Sequence, residues 1–171
     1  MLQETEYSTL RKLEEYYLKP YYGINIVTEE LRDYLDAVLE VSPPNYRKKL
    51  YLSASLTPGR KMMRAIHSVA HILLEHQGCA DENGKRLIIE LKDLDPEDYI
   101  NAQFKHRLSE ELEHNQASIL THGLINRNFQ RRWKNLYPCI LENSPIPDDY
   151  EDLYQSALSF NQFLISQGIV I

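Results

Sequence analysis

Residues 28–54, TEELRDYLDAVLEVSPPNYRKKLYLSA, decide how the chain is read. Thr28 supplies a side-chain oxygen suited to capping a helix. Glu29 and Glu30 follow in what would be the first turn, where the helix dipole favours negative charge. Leu31, Tyr34, Leu35, Val38 and Leu39 then fall at i, i+3, i+4, i+7 and i+8, the spacing of one apolar helical stripe. Pro43-Pro44 would stop that helix, and a short basic helix from Asn45 to about Ala54 is expected after it.

Working outward, the same periodicity recurs on both sides. Leu10, Leu13, Tyr17 and Leu18 make a helix of residues 4–19, ended by Pro20. The clearest start is Thr57-Pro58, a cap residue followed by proline at the first helical position. Its helix carries Met62, Ile66, Val69, Ala70 and Leu73 and is terminated by Gly78. Asp81 to Lys85 reads as an exposed turn. Arg86 to Lys92 has the length of a strand but no visible partner, so it is read as coil or an edge element. Asp95-Pro96-Glu97 opens a long helix to Gly123, a further helix holds Ile125, Phe129, Trp133, Leu136 and Tyr137 until Pro138 breaks it, and a last one spans about residues 149–167. The reading is all-α: one domain over residues 1–171, a bundle of six or seven helices.

Composition narrows the function classes. The chain has 171 residues, 43% apolar and 26% charged, enough to bury a core without disulfides. Twelve tyrosines against four phenylalanines and one tryptophan point to half-buried aromatics with a polar end. Only six glycines are present, which argues against Gly-rich phosphate loops. No stretch approaches the ~18 apolar residues a membrane helix needs, and Met1-Leu2-Gln3-Glu4 begins neither a signal nor a transit peptide. Cys79 and Cys139 form no CxxC, so a reducing, cytoplasmic setting is expected.

The net charge of −6 argues against nucleic acid, but its distribution argues the other way. No Asp or Glu occurs from Val41 to Leu74, a stretch holding Arg47, Lys48, Lys49, Arg60, Lys61 and Arg64. None occurs from His114 to Leu141 either, where Arg127, Arg131, Arg132 and Lys134 stand. The remaining nine Lys and Arg face all 25 acids. Charges scattered only for solubility rarely segregate in this way. Arg60, Arg64, His67 and His71 lie on one helical stripe, away from the Ile66/Val69/Leu73 core face. Phe129, Trp133 and Tyr137 alternate with Arg131, Arg132 and Lys134, and basic side chains with aromatics can hold phosphates and stack unpaired bases. The same aromatics at helical spacing equally describe a core face, and the basic residues a solvated face or a dock for an acidic protein.

Catalytic patterns are thin. His67, His71 and Glu75 stand at i, i+4 and i+8, so three ligands would line one helix. No HExxH accompanies them, and they are read as ordinary surface side chains with no metal or cofactor expected. His106, His114 and His122 recur every eight residues, a spacing that drifts around a helix. Neither cysteine has an activating histidine beside it in sequence. Paired acids such as Glu110-Glu111 read as solvated helix charges. No catalytic residue is assigned.

Arg60 and His67 fit an arginine-x6-histidine pattern that resembles the motif of HEPN-type ribonucleases, although Asn101…His106 and Asn115…His122 satisfy its looser form too. The Thr57-Pro58-Gly59-Arg60-Lys61 helix start, the basic segment before it and the 126–137 basic-aromatic helix together resemble the small helical subunit of CRISPR effector complexes. The type I-D form, similar to the C-terminal region of the large subunit, is the nearest. That resemblance covers most of the chain and implies a non-enzymatic subunit, present in several copies beside other protein subunits, holding a target or displaced DNA strand or RNA in a basic groove. The alternatives are a HEPN-like RNase or toxin, and a helical protein-interaction module without nucleic-acid contact.

Overall fold

A computed structural model describes residues 9–31, 35–42, 47–76, 78–80, 84–91, 107–141 and 150–169. Helices and a mixed sheet share the chain, which overturns the all-α expectation. The residues gather into two compact units, Met1–Ala65 with Gln77–His106, and Ile66–His76 with Arg107–Ile171.

In the first unit a helical segment, residues 9–22 (α1), includes a π-helical stretch at Glu14–Leu18 and a last turn at Lys19–Tyr22. Gly23 closes it at φ 65°, where its N–H donates to the Lys19 carbonyl. Five strands follow: β1 Ile24–Glu29, β2 Leu35–Ser42, β3 Arg47–Ser53, β4 Cys79–Ala80 and β5 Arg86–Leu91. They lie in the order β1-β3-β2-β5-β4, with β1 parallel to β3 and the other pairs antiparallel. The edge strand β1 is clamped by α1, because the Glu14 carboxylate accepts a hydrogen bond from the Ile26 N–H.

Among its described residues the decisive stretch runs as the end of β1, then β2 and β3, where two helices were expected. Its stripe was ambiguous, since Leu35 and Leu39 satisfy both helical and alternating spacing. Position two by two decides it. Ala37 and Leu39 on β2 face Leu52 and Leu50 on β3, and all four are buried. Leu39 also pairs with Ile88 on β5 and Leu50 with Ile26 on β1, giving one apolar row across four strands. Thr28, read as a cap, sits inside β1, whose Ile24, Ile26, Val27 and Thr28 are β-branched. The segment from Arg86 lacked a partner only because β2 had been read as helix; it runs between β2 and β4.

The helix expected at Thr57-Pro58 is present: α2 covers Pro58–Leu73, and the Thr57 hydroxyl accepts the Arg60 N–H at 3.3 Å. The division between the units falls inside α2, between Ala65 and Ile66. The second unit adds α3 (Arg107–Leu124), α4 (Phe129–Leu141) and α5 (Tyr150–Ser166). The expected helix from Asp95 lies outside the described residues as far as residue 106. Pro138 sits within α4 and does not end it. The core holds Val69, Leu120, Leu124, Phe129, Trp133, Ile140, Phe160 and Leu164. Trp133 packs on Phe129 and Tyr154 at 5.3 and 5.5 Å between ring centroids, so this aromatic stripe is core and not a stacking platform. Asn161 on α5 donates to the carbonyls of Leu124 and Asn126 at 2.7 and 2.9 Å, satisfying backbone groups that the end of α3 leaves open. Among the described residues no helix is long and apolar enough to cross a membrane.

Candidate metal centre

Four of the chain's six histidines meet inside the second unit. His67 and His71 stand one turn apart on α2, so their rings project from the same side, with centroids 4.8 Å apart. His114 comes from α3, its ring 4.8 Å from His71 and stacked on His67 at 5.8 Å. His76 arrives by way of the helix end. Glu75 adopts φ 57°, a left-handed conformation that glycine usually fills, and the His76 N–H returns to the His71 carbonyl at 3.0 Å. This tight reversal folds the His76 ring onto His71, their Nδ1 atoms 2.8 Å apart. A side-chain-bearing residue held in that conformation costs about 1–3 kcal/mol, and such strain tends to collect at functional sites.

The cluster is enclosed. His71 is fully buried and His67 nearly so, while His76 and His114 are half-buried. Burial first, and then the neighbouring histidines, hold His71 well below the ordinary imidazole value of 6.5. Burial also lowers His76, against the opposing pull of its hydrogen bond to Gln116 and of the Glu113 charge. Near neutral pH these two rings therefore stay neutral, the state a metal ligand requires. One ring nitrogen from each of His67, His71 and His114 lies within 4.8 Å of the others, close enough to share one ion. Three imidazoles suit Zn, Cu, Ni or Fe over Mg or Ca. Around them, His71 Nε2 is 3.2 Å from His114 Nδ1, His76 Nε2 is 2.9 Å from Gln116 Oε1, and the Ser118 hydroxyl is 3.3 Å from His67 Nε2.

The histidines read as surface side chains are thus largely interior. Glu75, weighed as a third ligand along the same helix, is exposed and makes the turn instead. The third imidazole comes from another helix, at His114, which the eight-residue spacing had set aside. His122 is exposed, and His106 lies outside the described residues. The legible signal was the His67/His71 pair itself. The pair alone does not disclose the third imidazole, because His114 stands 43 residues beyond His71, on another helix.

The ten basic residues separate into three groups. Arg64 is a structural cation: its Nε and Nη2 donate to Asp36 at 3.2 and 2.8 Å, and its Nη1 to Glu90 at 3.2 Å. Arg60 reaches within 4.0 Å of Asp36, Lys61 is buried, and the Lys48 ammonium donates to the Tyr22 carbonyl at 3.2 Å. Lys49 is exposed, and the Arg47 side chain lies outside the described residues. Arg127, Arg131, Arg132 and Lys134, by contrast, are all exposed on α4 and its approach, and their side chains make no ion pair or hydrogen bond to a described residue.

Compared with protein-family models, with curated proteins and with solved structures, the chain finds no match in any of the three.

Proposed function

We propose that this protein binds one divalent transition-metal ion through His67, His71 and His114. The observation that carries this reading is the convergence of three ring nitrogens within 4.8 Å in a buried setting. Burying several imidazoles side by side against their desolvation gains little unless something ligates them or links them by hydrogen bonds. Ser68 directly follows His67, where an HExxH helix carries its glutamate base. The proposal is therefore metal binding, and peptide hydrolysis is not part of it. The exposed free thiol of Cys139 fits a reducing, cytoplasmic setting.

The test is titration of the metal-free protein with Zn2+, followed by stoichiometry after desalting and by the visible spectrum of the Co2+ form. One equivalent is expected for the wild type, and none for His67→Ala or His114→Ala. A wild type that retains no zinc overturns the reading.

A second reading rests on α4. Its Arg131, Arg132 and Lys134, with Arg127 just before it, are exposed basic side chains without protein partners among the described residues, so they are available to a phosphate backbone. This keeps the nucleic-acid expectation, and with it the role of a subunit in an RNA-guided effector, while moving the contact away from α2. Labelled single-stranded and duplex DNA and RNA, titrated across a salt series and checked for integrity on a gel, test it. Binding that weakens steeply with salt over intact substrate supports a strand-holding subunit; cleaved RNA turns the case to a nuclease, and no binding at any salt to a protein partner.

A further inference from the structure

The hydrogen bonds around the histidines have a forced direction. The Ile140 carbonyl can only accept, so the Gln116 amide must donate to it, at 2.7 Å. Gln116 Oε1 then faces His76 and must accept, which places the His76 hydrogen on Nε2. A neutral ring protonated at Nε2 offers a lone pair at Nδ1, so at their 2.8 Å contact His71 Nδ1 must be the donor. That leaves His71 Nε2 with its lone pair directed at His114 Nδ1, 3.2 Å away. Two nitrogens bound tetrahedrally at about 2.0–2.1 Å from zinc stand about 3.3–3.4 Å apart. The pair is close to ligand spacing before any ion arrives.

Resting on the metal reading above, we infer that His76 and Gln116 are positioning residues of the centre: the chain Ile140–Gln116–His76 fixes the tautomer of His71 so that Nε2 ligates, with Nδ1 of His114 as its neighbouring ligand. In the metal-free protein the two nitrogens share the proton carried by His114 Nδ1. A neutral imidazole ligated through Nδ1 carries its hydrogen on Nε2, so on binding the Nδ1 proton passes to water, water supplies one to Nε2, and the ring stays neutral with no net proton released. Histidine ligands in metal proteins commonly direct their second nitrogen to such an outer partner. The distinctive feature here is that the partner is a second histidine, itself locked by an amide and a backbone carbonyl.

Long-range 1H–15N spectra of the histidine rings in the metal-free wild type read the tautomers directly. The expected pattern is hydrogen on Nε2 of His76 and on Nδ1 of His71; hydrogen on Nε2 of His71 overturns the inference. Zinc titration supplies the second readout. His76→Leu removes the acceptor and should loosen Zn2+ roughly 10–100-fold. His76→Asn, whose amide oxygen reaches the place of Nδ1, should restore affinity to near the wild-type value. If His76→Leu binds as tightly as the wild type, the relay is overturned while the centre stands. If the wild type takes up no zinc, the centre fails and the ligand assignment with it.

Discussion

The Arg64 guanidinium commits three N–H groups to Asp36 and Glu90, whose side chains are each 2% exposed. Burial works against its charge, and the two carboxylates outweigh that effect, holding its pKa above the ordinary arginine value. Replacing Arg64 with Met removes the nearest cation from two buried carboxylates, although Arg60 still reaches within 4.0 Å of Asp36, and breaking a buried pair costs about 3–5 kcal/mol. The urea midpoint of Arg64→Met should fall accordingly, whereas an exposed basic position such as Arg131→Met should stay within about 0.5 kcal/mol of the wild type. Gly78 is the second sensitive position. Its φ is 62°, and an added Cβ would stand 2.4 Å from the Leu87 carbonyl oxygen. Gly78→Ala is expected to lose at least the ~1–3 kcal/mol of a strained left-handed residue, measurable in the same unfolding series. The sign of Arg64 was plain in the sequence, but its partners lie 28 and 26 residues away along the chain, on strands that had to be recognised first.

The helix α4 carries the surviving case for a polyanion. Reversing Arg131, Arg132 and Lys134 to Glu should abolish salt-sensitive binding of single-stranded DNA or RNA and leave the helical circular dichroism unchanged, since the side chains of all three are exposed and pair with no described residue. Loss of helix in that variant would make these side chains structural. The helices were largely legible because their signals are local: the Thr57 cap, Pro58 at the first position, and the apolar spacing of Phe129 and Trp133. The strands were not, because a strand's identity depends on residues far away in sequence. Leu39 becomes part of a sheet only once Leu50 and Ile88 are seen on either side of it. The metal centre was half legible for the same reason: His67 and His71 announce themselves on one helix, while His114 arrives from another and His76 through a turn formed at Glu75, a residue with no intrinsic preference for it.

The stability of the molecule as a whole should follow the histidines. His71 and His76 have folded values lowered below the unfolded 6.5, so below that pH the unfolded chain binds more protons than the fold. Their penalty is absent above about pH 7 and grows as the pH falls through 6.5, so the thermal midpoint should decline between pH 7 and 5. Zinc should raise the midpoint at pH 7.5, with a gain that increases with its concentration and shrinks on acidification as protons compete for the same nitrogens. A midpoint flat from pH 7.5 to 5 would contradict the burial of these rings. The clamp between Glu14 and Ile26 has a different reach. A sheet is most open to joining another at an edge where backbone amides stand unpaired. Here the long edge is β1, whose central amide is already held by the chain's own carboxylate, and the opposite edge, β4, is only two residues long. One backbone amide of the long edge is thus already spoken for within the chain, and among the described residues the other edge offers a neighbouring strand only two residues to pair with.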